Sequence, residues 1–239
     1  MKSKLISKIK REIAKLPRTK SSQKELEFLA RYLGSNKKYP GIKTGDLVQV
    51  ANEFLKENKD IEATELAEII GNLILSGSYE EHIVGGKIFT FLKSEERQKI
   101  PFFELKRWLK KAQGWWEVDV ICQSSYTGKE VQENFFKWKE AIRDFSKSNS
   151  ISHRRASLVL QAKSNREIGD DKMVKLALET VETLKHERDI LITKAISWLL
   201  REMCRHNKEL IHKYLQLNKD TLPAIAYRET MKKITTGKK

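Results

Sequence analysis

Apolar residues recur at three- and four-residue spacing along almost the whole chain, and that period commits it to packed α-helices. Leu5, Ile6, Ile9, Ile13 and Leu16 form the first stripe, and Leu26, Leu29, Ala30 and Leu33 the second. Leu47, Val50, Ala51, Phe54 and Leu55 follow a Thr44 cap, and Leu66, Ile69, Ile70, Leu73 and Ile74 come next. Val131, Phe135, Trp138 and Ile142 continue the pattern, then Leu176, Leu178, Val181 and Leu184, then Ile192, Ala195, Ile196, Leu199 and Leu200. No segment sustains the two-residue alternation of a half-buried strand. The four prolines, Pro17, Pro40, Pro101 and Pro223, fall between stripes or near helix starts, where a missing N–H is tolerated.

Turn and cap chemistry divides the stripes at Gly34-Ser35-Asn36, Gly41, Ser76-Gly77-Ser78, Gly114, Thr127-Gly128, Ser146 to Ser150 and Gly169-Asp170-Asp171. These boundaries predict about a dozen helices of roughly 10 to 18 residues joined by short connections. Each stripe must be covered by a neighbour, which favours an all-α solenoid or superhelix of HEAT-like antiparallel helix pairs over a simple bundle. Periodicity alone does not separate the two, because the pair spacing is loose, near ~40 residues. The expectation is one domain over residues 1–239, with 235–239 as a frayed basic tail.

Charge narrows the partner. Forty-seven Lys and Arg against 32 Asp and Glu leave a formal +15, a bias toward polyanions that supplies affinity without specificity. Surplus solubility or attraction to a membrane surface would leave the same excess. Cys122 and Cys204 stand far apart, the five histidines are scattered, and no ligand spacing emerges, so neither a metal nor a cofactor is expected. No apolar run approaches the ~20 residues of a membrane span. Lys4, Lys8, Lys10 and Arg11 interrupt the apolar core a signal peptide would need. A cytosolic, nucleoid-associated monomer is the expectation.

Taken singly, the conspicuous residues have plain readings. Trp115 and Trp116 before Asp119 resemble a packing pair beside a solvated acid, Trp108 and Trp138 read as core, and Trp116 points away from Trp115 toward the core. Arg154-Arg155 reads as helix-surface charge, Trp198 as core or surface equally, and Tyr32 as packing or contact. Glu80-Glu81 after Ser78 marks a helix N-terminus, where acids complement the dipole.

Taken in order, several segments resemble the AlkD-like DNA alkylation-repair family of HEAT-like repeat proteins. Tyr39-Pro40-Gly41-Ile42-Lys43-Thr44 is similar to its loop-to-helix signature, with Tyr32 nine residues before Gly41. Trp115-Trp116-Glu117-Val118-Asp119 resembles its tryptophan–aspartate helix, and Arg154-Arg155-Ala156-Ser157-Leu158 its double-arginine helix start. The segment from Lys194 to Glu202 is the closest match, followed by Tyr227-Arg228-Glu229. Two places depart from the pattern. Ser152 stands where the family usually has tryptophan, and Gly45-Asp46 where it commonly has Pro and Arg.

The resemblance implies hydrolysis of the N-glycosidic bond of cationic alkylpurines, of the 3-methyladenine and 7-methylguanine type, in duplex DNA. It implies Asp119, Trp115 and Arg155 as the catalytic set, with Trp198, Tyr32, Arg154 and Lys43 on the DNA. The chemistry suits these residue types. An alkylated purine is already a good leaving group, so the enzyme must stabilise positive charge growing on the sugar. A carboxylate does this electrostatically and an indole face by cation–π attraction. Residues four apart on a helix share a face, as Trp115 and Asp119 would. A noncatalytic binder of damaged or branched DNA, and a helical protein scaffold, remain alternatives.

Overall fold

A computed structural model describes residues 2–20, 22–35, 37, 39 and 41–238. Asn36 and Pro40, both named above as turn or signature residues, and Lys239 of the expected tail lie outside the described residues. Among those described there are fifteen helices and no strand. Their lengths run from 5 to 17 residues, because several apolar stripes are split by short turns. No described helix is long and apolar enough to cross a membrane. The chain divides into two compact units, residues 1–121 and 122–239.

The first unit holds α1 (Lys2–Lys15), α2 (Gln23–Leu33), α3 (Thr44–Glu57), α4 (Ala63–Leu75), α5 (Tyr79–Phe91), α6 (Ser94–Gln98) and α7 (Phe102–Leu109), and most of α8 (Gly114–Cys122). Helix α5 is its centre, packed against α3 and α4. Ile83, Val84, Ile88 and Phe89 are wholly buried on it, and the neighbouring stripes supply Leu47, Phe54, Ile69, Ile70, Leu73 and Ile74. Burying one such side chain is worth ~1.5–3 kcal/mol, which makes this the unit's main driving force. Trp108 is buried against Phe89, edge to face at 5.4 Å, as its core reading requires.

Two helix starts differ in their capping. Ser78 caps α5, its hydroxyl accepting from the Glu81 N–H, as the acids after it foretold. At α3 the cap is Lys43 rather than Thr44. Thr44 is already helical, so its hydroxyl is not placed to accept from the first turn, and no side chain caps α3.

The second unit holds α9 (Gly128–Glu133), α10 (Phe135–Ser146), α11 (Ile151–Glu167), α12 (Asp171–Leu184), α13 (Ile190–Met203), α14 (Lys208–Leu217) and α15 (Ala224–Thr236). Helices α11, α13 and α15 pack side by side as one layer, and α10, α12 and α14 cover them. The covering helices begin at 135, 171 and 208, intervals of 36 and 37 residues, so the unit is three helix pairs in register. The stripe from Val131 to Ile142 is broken at Asn134, which leaves helical geometry at φ −117° and donates its side-chain N–H to the Glu130 carbonyl. Trp138 is buried against Tyr126. Helix α15 runs to Thr236, two residues into the expected frayed tail, and ends on Gly237 in the left-handed region.

Candidate functional site

In the first unit the site begins where the end of α2 meets the start of α8. Gly114 lies at φ +68°, and a Cβ there would sit 1.7 Å from the Leu33 carbonyl oxygen. Only glycine permits that approach. It brings Trp115 against Tyr32, rings edge to face at 5.4 Å, with the Trp115 Nε1–H donating to the Tyr32 carbonyl at 2.7 Å. The last carbonyls of a helix have no partner within it, so the indole satisfies one while fixing its own plane. The structure therefore joins two residues nominated separately from the sequence. Trp116, expected in the core, is half-buried instead, its ring 5.2 Å from that of Trp115.

Helix α8 is held from below by one stripe of α5: His82, Gly86 and Thr90, each a turn apart. The His82 ring nitrogen Nε2 lies 3.0 Å from the Glu117 carbonyl oxygen, and the Thr90 hydroxyl donates to the Val120 carbonyl at 3.0 Å. Between them a Cβ on Gly86 would meet Val120 at 2.8 Å, while one on Gly85 would crowd Ile74 and Leu73 of α4 at 3.0–3.1 Å. Paired glycines in a helix interior cost ~1 kcal/mol each, so their presence marks a close approach on two sides.

Glu117 is wholly buried beneath the aromatic pair. Its carboxylate accepts from the Gln113 backbone N–H at 2.8 Å and pairs with Lys37 at 2.9 Å. His82 Nδ1 is 3.7 Å from the same carboxylate. Burial holds His82 below its ordinary value, although Glu117 pulls the other way. This network locks the first turn of α8. One turn beyond Trp115, Asp119 is 7% exposed, between Val118 and Val120 in a helix with few solvent-facing positions. Lys43 is exposed at the start of α3.

In the second unit the two arginines at the head of α11 have different surroundings. Arg154 grips Glu187 through Nε at 2.6 Å and Nη2 at 3.1 Å, and its Nη1 donates to the carbonyls of Ser148 and Asn149. That is a fork fully used within the unit. Arg155 is 5% exposed and donates from Nη1 to the Leu191 carbonyl at 2.6 Å, which ties α11 to the first turn of α13. Ser152, the departure from the double-arginine pattern, is buried in the same turn. Trp198 is half-buried on α13, its Nε1–H donating to Glu202 at 2.8 Å. Lys194, Arg201 and Glu202 share that side of α13, with Arg201 paired to Glu229, so Trp198 lies on a face of mixed charge rather than in the core.

Sequence reading overlooked Gly85-Gly86, His82 and the Lys37–Glu117 pair. The doubled glycine inside a helix was the available signal. Among the described residues no group of three His, Cys, Asp or Glu side chains is placed to hold a metal ion.

The comparisons with known proteins bear on this geometry. A DNA alkylation repair enzyme described as predicted, from Enterococcus faecalis, has a solved structure that superimposes with a TM-score of 0.72 at 18% identity. The match covers 92% of this chain and 99% of that one. The structure of smu.31 from Streptococcus mutans UA159 gives a TM-score of 0.57 at 15% identity, covering 79% of this chain and 98% of that one. At these identities the likeness is one of fold. No curated protein matches the chain. The family model for DNA alkylation repair enzymes matches residues 14–234, and on that match the chain belongs to the DNA alkylation repair enzyme family.

Proposed function

We propose that the protein is a monofunctional DNA glycosylase that hydrolyses the N-glycosidic bond of cationic alkylpurines, 3-methyladenine and 7-methylguanine among them, in duplex DNA. The product is an abasic site. The observation that carries this reading is Asp119, a carboxylate with 7% exposure one turn from a tryptophan whose N–H is already engaged. The indole, met edge to face by Tyr32 and Trp116, and the carboxylate one turn on lie on the same side of α8, and both kinds of group attract a cation.

The reaction follows from those groups. As the bond from C1′ to the purine nitrogen lengthens, its electron pair leaves with the cationic base, which departs neutral, and positive charge spreads over the sugar ring. Asp119 stabilises that charge and orients water for attack at C1′, taking its proton as the new C–O bond forms. The leaving group needs no acid, because alkylation has already placed the charge on it. Trp115 adds its ring face, and in the second unit Arg155 is the residue assigned to a DNA phosphate. Trp198, Tyr32 and Lys43 contact the DNA around the lesion. Both arginines have partners within the second unit, Arg154 on Glu187 and two carbonyls and Arg155 on the Leu191 carbonyl, so the Arg154 and Arg155 variants must be compared directly.

The test is release of free 7-methylguanine from methylated duplex. Asp119→Asn is expected to lower single-turnover release by roughly 100-fold or more with DNA affinity retained. Trp115→Phe, which keeps a ring, is expected to lose more in excision than in binding. Full release by Asp119→Asn would remove that carboxylate from the mechanism. Tight binding by the wild type with no base release would identify a noncatalytic DNA binder.

A further inference from the structure

Helix α2 is covered on one side only. Leu33 is buried and Leu26, Leu29 and Ala30 half-buried, whereas Phe28 and Tyr32 on the other side are 59% and 56% exposed. Their rings are parallel within 6° with centroids 6.0 Å apart, an offset stack. Tyr32 meets Trp115, and Trp115 is pinned by its bond to the Tyr32 carbonyl, so the row of rings is anchored at one end and open at Phe28.

The charges around the row are ordered too. At ~100° per residue, Arg31, Lys24, Phe28 and Tyr32 fall within one arc of about 100°. Lys24 and Arg31 are exposed, and no salt bridge engages them among the described residues. The acids of α2 keep their charge but are hydrogen-bonded elsewhere rather than paired with these cations: Glu25 accepts from the Ser22 N–H and hydroxyl, and Glu27 from the Gln23 side chain. Stacked aromatic faces flanked by available cations are what a base with its own phosphates requires, since every base has a π-face and each linkage a charge. A purely apolar partner would gain nothing from Lys24 and Arg31.

We propose that Phe28 and Tyr32 form a stacking site for an unpaired nucleobase, with Lys24 and Arg31 holding the adjacent phosphates. The base is one displaced from the duplex at or opposite a disturbed pair. It continues the stack at the open face of Phe28. The inference rests on the proposed function only for the polymer being DNA, and it adds Phe28 as a residue that discriminates distorted from regular duplex.

The experiment compares the full-length chain and its variants on two probes, a duplex with one unpaired adenine and the same duplex fully paired. Phe28→Ala is expected to weaken binding to the unpaired-base duplex about tenfold, with the paired duplex within about twofold. Phe28→Trp, which keeps the aromatic face, restores the preference. Equal losses on both probes, or no loss on either, overturn the site. So does concentration-dependent self-association abolished by Phe28→Ala, which would make the patch a face between copies of the chain. Release of 7-methylguanine by the wild type is read in parallel. If that fails while the Phe28 preference persists, the glycosylase reading falls and the stacking site stands.

Discussion

Replacing Gly114 by alanine puts a methyl group 1.7 Å from the Leu33 carbonyl oxygen and 2.8 Å from the Gly34 carbonyl carbon, at a φ of +68°. Two costs add. Holding an alanine in the left-handed region costs ~1–2 kcal/mol. Relieving the overlap means moving backbone against backbone, which no rotamer change can do, and such overpacking costs ~1–3 kcal/mol. Together the variant should lose about 2–5 kcal/mol. For a chain of this size that is a fall of roughly 5–15 °C in Tm. Gly45→Ala is the control, because nothing lies within 4 Å of its added Cβ. It should leave Tm unchanged or raise it by the equivalent of at most ~1 kcal/mol in helix propensity. Thermal unfolding followed by circular dichroism reads both. A Gly114→Ala protein melting within about 2 °C of the wild type would refute the close approach of α2 to α8, and with it the account of how Trp115 is held.

Two further outcomes follow from the same reasoning. Burial lowers the folded-state value of His82, so the unfolded chain binds the proton more readily. Its contribution is therefore fully present above the unfolded value near ~6.5 and lost as pH falls through the depressed folded one, with a slope approaching about 1.4 kcal/mol per pH unit. Glu80, raised by burial, acts in the opposite sense, so urea unfolding from pH 7.5 to 6 should be compared in Glu80→Gln and in Glu80→Gln with His82→Gln. Identical slopes in the two would exclude His82 as the source. Arg154→Lys keeps the charge but loses the fork on Glu187 and two carbonyls, and should cost roughly 1–2 kcal/mol of stability with methylpurine release within about twofold. A tenfold loss of release at unchanged Tm would make Arg154, not Arg155, the phosphate ligand.

The helices that lie at a surface were legible in the sequence because half of each faces water. Leu47 to Leu55, Leu66 to Ile74 and Ile192 to Leu200 keep their apolar residues on one side, and all of those stripe residues are buried except Leu55, which is half-buried. The central helices gave no such stripe. Around α5, α8 and α11 the burial continues on nearly every side: α11 buries Ser157, Gln161, Ser164 and Asn165 as well as Leu158 and Leu160. Their donors are satisfied, Gln161 donating to the Ser157 carbonyl and to the Thr180 hydroxyl of α12, while Gln161 Oε1 and Asn165 Oδ1 have no hydrogen-bond partner among the described residues. A helix buried all round has no period to read.

The candidate site divides along the same line. The ordered resemblance to a family nominated Trp115 and Asp119, and helix spacing added only that residues four apart share a face. Local sequence was enough to make the protein all-helical and strongly basic. It did not separate Arg154 from Arg155, since adjacent residues look alike until one meets Glu187 and the other the Leu191 carbonyl. Nor did it place Tyr32 against Trp115, join Lys37 to Glu117, or leave Phe28 in the open. Those contacts link positions 83, 80 and 36 residues apart or depend on which side of α2 the fold covers. Short-range periodicity fixes what a segment becomes. Only the packing of distant segments decides which of its side chains meet a partner, and which are left for a ligand.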